Sequence, residues 1–262
     1  YPEIKTDYLS LTGNLYHLDY QAKNPNADMS GYIFAYNIKA QFKISYLLFN
    51  LAFERGANAN KILGKDDIKF DGTLPTGETI NQSIDNIIYR FDYTLGFSYS
   101  FSSRFHFVLP YSGLSYRVFF MDKQINSPDI LVKYQYEWFQ IPLGFKLQFQ
   151  LFRNFVLGLD CSYRFMLLPR ATVYTKDIYT ATDPDLPDTV FILKKGISFR
   201  FEVPIEIYFS NHLGLMLTAW YDRVQFGDSS NKTVHDINSY PITSSTKEIT
   251  TYGINLSLNL YL

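Results

Sequence analysis

From residue 87 to residue 101 the chain alternates with a period of two. One phase reads Ile87, Tyr89, Phe91, Tyr93, Leu95, Phe97, Tyr99 and Phe101, and the other Ile88, Arg90, Asp92, Thr94, Gly96, Ser98 and Ser100. Successive side chains of an extended strand point to opposite faces, so this pattern predicts a strand with one apolar and one largely polar face. At fifteen residues it is long for a globular protein, where strands run to about five or six. The same alternation covers residues 32–43, 197–209 and 252–262. In the last of these Tyr252, Ile254, Leu256, Leu258, Leu260 and Leu262 oppose Thr251, Gly253, Asn255, Ser257 and Asn259.

Noisier versions occupy residues 8–20, 46–55, 105–120, 134–149, 155–168 and 213–225, with no clear assignment of the two faces in 105–120. The total is about ten strands, an even number, as single-chain bacterial barrels have. Short links fall near Ser45, Arg104, Arg153 and Asn211, and longer polar segments at 21–29, 56–85, 121–133, 169–195 and 227–247. An up-and-down order puts every short turn at one end and every long loop at the other. A weak internal repeat runs the same way: Phe139-Gln140-Ile141-Pro142-Leu143 is similar to Phe201-Glu202-Val203-Pro204-Ile205, each followed by a turn and a Gly-Leu pair. The whole chain, 1–262, reads as one domain.

An amphipathic sheet can close with its apolar face inward or outward. The polar phase carries Lys39, Lys43, Glu54, Arg90, Asp92, Arg117, Lys146, Asp160, Arg164, Arg200, Glu202, Glu206 and Asp222, interspersed with Gly96, Gly144, Gly158, Gly214 and Gly253. The apolar phase is almost free of charge in mid-strand. Composition then adds that Tyr, Phe and Trp make up 18% of the residues, more rings than a soluble domain of this size needs to bury. Tyr89, Tyr99, Tyr134, Tyr136, Trp138 and Tyr221 fall near strand ends, as interfacial girdles do. These features predict an apolar face turned to lipid and a charged face turned inward. Closure follows, because an open sheet edge in hydrocarbon would leave backbone groups unpaired.

The arrangement resembles the outer-membrane β-barrel proteins of double-membraned bacteria. The resemblance spans nearly the whole chain as pattern, and Ile141-Pro142-Leu143-Gly144-Phe145-Lys146 looks like a strand that recurs in small barrels of that kind. The final strand is similar to their C-terminal insertion signal, which usually ends in Phe or another aromatic and here departs from it by ending in Tyr261-Leu262. The resemblance implies an antiparallel up-and-down transmembrane barrel with short periplasmic turns and long extracellular loops, located in the bacterial outer membrane. It also implies contact with outer-membrane lipid and insertion by the barrel-assembly machinery; the role expected of such a barrel is structural, or that of a membrane anchor whose loops dock envelope proteins.

Charge and motifs narrow the chemistry. With 24 Lys+Arg against 25 Asp+Glu the chain lacks the basic excess that nucleic acid selects. No stretch is long and apolar enough for a transmembrane helix. The front, Tyr1-Pro2-Glu3-Ile4-Lys5, lacks the apolar core of a signal peptide, which fits a cytoplasmic chain or one whose leader has been removed. One cysteine, Cys161, excludes an internal disulfide framework and falls on the apolar phase. The inward charges number seven positive and six negative. In a barrel this narrow, near-balanced opposite charges predict a paired plug; the alternative is a narrow passive channel.

Ten strands also invite comparison with the omptin proteases, in which acidic pairs and an Asp–His pair on the loops act. Asp66-Asp67 and His235-Asp236 supply such residues, although their context differs from that family's motifs. Lipid A deacylase barrels place a His and a Ser on one strand face; His106 is followed by Val108 two residues later, which breaks that pattern. The run Asp183-Pro184-Asp185-Leu186-Pro187-Asp188 lacks the glycine and terminal Glu of a calcium loop. Pro142 and Pro204 in mid-strand predict bulges. The expectation is a barrel with no catalytic, cofactor or metal site.

Overall fold

The computed structural model describes residues 4–23, 26–73, 79–102, 104–123, 134–174, 188–229, 232–233, 241–242 and 247–262. Among them run β1 (Tyr8–Lys23), β2 (Asn26–Ile44), β3 (Leu47–Asn58), β4 (Lys69–Thr73), β5 (Thr79–Ser102), β6 (Phe105–Lys123) and β7 (Tyr134–Phe152). They continue with β8 (Phe155–Val173), β9 (Thr189–Ile192), β10 (Ile197–Tyr208), β11 (Leu213–Phe226), β12 (Lys232–Thr233), β13 (Pro241–Ile242) and β14 (Lys247–Tyr261). Ten of these, β1, β2, β3, β5, β6, β7, β8, β10, β11 and β14, pair antiparallel in chain order, and β1 closes the ring by pairing with both β2 and β14. No barrel strand is left with an open edge, which is what hydrocarbon demands.

The four short links are tight turns at one end, as the pattern predicts. Tyr8 and Tyr261 pair at that same end. At the other end several segments expected as loops are strand: β1 and β2 stay paired as far as Lys23 and Asn26, and β4 and β9 fall within 56–85 and 169–195. β4 pairs with β2 and β5 above the point where β3 leaves off. It therefore resumes the course of β3 after an excursion at 59–68.

These extensions escaped the sequence reading because the wall turns inside out along its height. In β1 the inward residues begin Ser10, Thr12, Asn14 and continue Tyr16, Leu18, Tyr20, Ala22, all buried. The outward residues begin Leu9 and Leu11, 47% and 61% exposed, and continue His17, Asp19 and Gln21. β2, β11 and β14 do the same in register. Near the turns the wall is apolar outside and polar inside; near the loops it is polar outside and apolar inside. A polar outer face above the membrane has the composition of a loop but the geometry of a strand.

The expected bulges lie elsewhere. Pro142 and Pro204 interrupt the ladders toward β6 and β8 without shifting register, because a missing N–H removes one bond but adds no residue. The β6–β7 ladder shifts between Val108 and Tyr111, around Pro110, and the β7–β8 ladder shifts between Glu137 and Phe139, facing Leu168 of β8. Leu168 has φ of 49°. The first of these shifts exchanges the two faces of β6, which is why its phases could not be assigned from alternation.

Candidate functional site

Among the described residues, chemistry-bearing side chains converge in the lumen, where they lie in three layers. At the turn end the rings of Tyr8 and Tyr208 meet that of Tyr261 edge-on, with centroids 6.0 and 5.2 Å away, beside Val156. Lys5 Nζ lies 4.9 Å from the Tyr261 ring centroid. Glu206 accepts hydrogen bonds from Tyr261 Oη and, at 2.5 Å, from Asn259 Nδ2.

The middle layer holds the ion pairs. Asp222 accepts from Arg117 Nη2 at 2.6 Å, Arg200 Nη1 at 3.3 Å and Ser198 Oγ at 3.1 Å. Arg200 also pairs with Glu202, and its guanidinium lies 4.5 Å over the Trp220 ring. Asp92 takes Arg90 and Ser115, with Arg164 Nη1 at 3.7 Å. Lys146 Nζ stands 3.4 Å from Asp160, which also accepts from Tyr111 Oη at 2.6 Å. Tyr111 reaches Asp160 because Gly144 lets its ring lie flat on β7: a Cβ there would come within 2.6 Å of Tyr111 Cζ. A cavity of about 100 Å³ remains among Lys39, Asp92, Lys146, Asp160, Arg164 and Glu202, a few water volumes.

All thirteen residues singled out from the polar phase lie on inward-facing positions. Nine of them form ion pairs: Arg90, Asp92, Arg117, Lys146, Asp160, Arg164, Arg200, Glu202 and Asp222. The other four are held differently. Glu54 accepts from Asn14 Nδ2 at 3.0 Å, and Glu206 is bonded as above. Lys39 Nζ lies 5.5 Å from the Tyr8 ring centroid. Lys43 sits at the turn end, where its backbone N–H donates to Asp7 at 2.7 Å. Exposure separates the two phases as expected: Arg200 is 5% exposed, whereas Phe91 and Phe201 are 40% and 36% exposed.

The third layer, at the loop end, escaped the sequence reading. Tyr16, Leu18, Tyr20, Ile33, Ile68, Phe119, Met121, Tyr136, Trp138, Trp220, Val224, Phe226 and Ile249 form one buried apolar core spanning the barrel. Tyr136 and Trp138, expected in an outward girdle, belong to it, and Tyr134 packs against it; Tyr89, Tyr99 and Tyr221 do face outward. One charge is sunk in this core. Lys247 is buried, its Nζ donates to Tyr136 Oη and lies 4.5 Å from that ring's centroid, and Tyr20 Oη stands 3.1 Å from Tyr136 Oη. The level is above the membrane, since the neighbouring outward residues Arg223 and Glu248 pair with each other. Burial pushes the Lys247 ammonium down to about 7. The signal for this layer was the simultaneous change of both phases along β1, β2, β11 and β14.

The other candidates stand apart from the lumen. Asp67 pairs with Lys61 at 3.5 Å on the excursion at 59–68, and Asp66 is exposed beside it. His235, Asp236 and most of the Asp183–Asp188 run lie outside the described residues. His106 bonds Ser98 Oγ at 2.8 Å and Gln148 Oε1 at 2.9 Å near the turn end. His17 faces outward with its ring centroid 5.1 and 5.2 Å from those of Tyr32 and Tyr252. Among the described residues no three His, Cys, Asp or Glu side chains gather as metal ligands would.

No protein-family model and no curated protein matches the chain. Solved structures do. The outer membrane protease OmpT of Escherichia coli aligns over 100% of this chain and 97% of its own, with a TM-score of 0.61 and 11% identity. The β domain of the Bordetella autotransporter BrkA aligns over 98% of this chain and 100% of its own, with a TM-score of 0.42 and 8% identity. The likeness to OmpT is one of fold: this chain folds as an outer-membrane β-barrel.

Proposed function

We propose that this protein is a non-enzymatic integral barrel of the bacterial outer membrane, its lumen stoppered, its loops available as a docking rim for envelope partners. One observation carries the reading: the ring-rich layer at the loop end lies directly over the charged layer. An ion following the polar groups upward would meet Trp138, Trp220 and Phe119 instead of more polar groups. The middle layer adds to this, since its arginines and carboxylates are spent on one another and leave no single-sign ring of the kind that selects ions. With the interior filled, what remains for function is the outer wall and the rim. Insertion by the barrel-assembly machinery belongs to the same proposal.

The competing reading, a narrow passive channel, would have to join the 100 Å³ cavity to a smaller one of about 40 Å³ beside Arg117 and Trp138 and then breach the apolar layer. Purified protein in planar bilayers should give no steady current at moderate voltage; a sustained open state overturns the stopper. The non-enzymatic part has its own test. Hydrolysis of a fluorogenic peptide library by the refolded protein, abolished in His235→Ala, would make it a surface protease.

A further inference from the structure

The excursion at 59–68 leaves the barrel wall between β3 and β4 and is tied shut at its base. Asn60 does the tying: its Oδ1 accepts the Tyr32 N–H at 2.7 Å, its Nδ2 donates to Asp66 O at 2.6 Å, and its backbone O accepts from Lys65 N at 2.9 Å. Ala59 N–H bonds Tyr32 O at 2.7 Å, Leu63 N–H bonds Ala59 O at 3.0 Å, and Gly64 takes the turn at φ of 66°. Ile68, fully buried against Gly31, anchors the return. This closed loop nevertheless holds two aliphatic side chains outward, Ile62 at 79% and Leu63 at 40% exposure.

Its place on the wall says what would cover them. Tyr32, which the loop grips, faces outward at the top of the apolar belt and continues through His17 to Tyr252 as a row of rings. Phe34, Tyr36 and Ile38 lie below it on the same face of β2, all exposed to lipid, while Ser30 and Asp28 lie above. Rings in such a row mark the level where acyl chains give way to headgroups. Lys65 Nζ lies 3.8 Å from the Tyr32 ring centroid. Lys61 and Lys65 flank the aliphatic pair with long stems that can cross an interface while their ammonium groups stay wet.

We propose that residues 61–65 form a lipid-seated finger: Ile62 and Leu63 enter the outer leaflet of the membrane beside the barrel, and the flanking lysines stay at its polar surface. The finger extends the apolar belt sideways beyond the wall and ties the loop end to the lipid. The inference is independent of whether the lumen conducts; it rests on the outward belt lying in lipid.

A nitroxide depth measurement tests it in the full chain, in phosphatidylcholine vesicles, on a Cys161→Ser background that removes the native thiol. The label is placed at Ile62→Cys, with Leu256→Cys in the belt and Asp28→Cys on the upper wall as references, and each variant must show the heat-dependent gel shift of a folded barrel. The expected result is an oxygen-to-nickel-chelate accessibility ratio at residue 62 severalfold above that at residue 28, moving toward the value at 256. A ratio at 62 equal to that at 28, with 256 still lipid-like, sinks the finger and leaves the barrel in its membrane. A water-like ratio at 256 would instead defeat the membrane reading on which the finger rests. Low accessibility of residue 62 to both reagents would mean that protein covers it, which also overturns the proposal.

Discussion

Lys247 is a buried ammonium group among rings and aliphatic chains, and among the described residues its Nζ donates to the Tyr136 hydroxyl. An ordinary lysine titrates near 10.5 and this one near 7, so between about pH 7 and pH 10 the unfolded chain binds more protons than the folded one. Stability therefore rises with pH across that window, and the full penalty, on the order of a few kcal/mol, is felt below it. Lys247→Met should raise the urea midpoint of unfolding at pH 7 and flatten its pH dependence between 7 and 10; an unchanged slope would mean that the charge is relieved some other way. Asp222 is the opposite case, a carboxylate that two guanidinium groups share. Asp222→Asn should cost about 3–5 kcal/mol, because the loss is that of stranded buried charge. Adding Arg117→Met should recover much of it, and an additive double variant would show that the two groups are not coupled.

Along whole strands, alternation is a statement about which residues share a face. That much was legible: the strand number, the short turns and the inward position of charges such as Lys39, Arg90, Asp92, Arg200 and Glu202 follow from a period of two. Alternation does not name the medium that meets each face, and here the medium changes part-way up the wall. Trp138 and Tyr136 carry the same residue types as a girdle, but they stand on the inward phase, and Lys247 looked like the end of a polar loop. Register shifts near Pro110 and Leu168 were equally invisible, since each is one residue out of step in an otherwise regular run. The prolines expected to bulge are accommodated by their neighbours instead. A Cβ at Gly158 would stand 2.6 Å from Pro204 Cγ, so the glycine makes room on β8 for a ring on β10. Gly158→Ala should destabilise the barrel by about 1–3 kcal/mol through overpacking, and Pro204→Val in the same chain should restore most of it. Equal losses with and without the proline would place the strain elsewhere.

For the molecule as a whole, one cylinder has two cores: lipid tails supply the apolar surroundings around its lower part, and its own side chains supply them inside its upper part. The hydrophobic term is non-directional, so each level of the wall needs only one apolar side, and the sequence switches which side that is near Tyr16 and His17. Arginine placed at three positions separates this arrangement from a soluble barrel. Leu256→Arg, outward in the lower wall, should lose about 2–4 kcal/mol in phosphatidylcholine vesicles, the cost of a guanidinium facing hydrocarbon. Gln21→Arg, outward in the upper wall, should cost nothing measurable, since that face is already wet. Leu18→Arg, inward at the level of the ring core, should be the most damaging, because the longer side chain overfills that core and sets its charge beside the guanidinium groups of Arg90, Arg117 and Arg200. A conventional soluble barrel would tolerate both outward substitutions alike, and a barrel spanning hydrocarbon along its full height would reject both. Only a wall that inverts part-way up gives the order Gln21→Arg, Leu256→Arg, Leu18→Arg in rising cost, read as urea midpoints on the refolded protein.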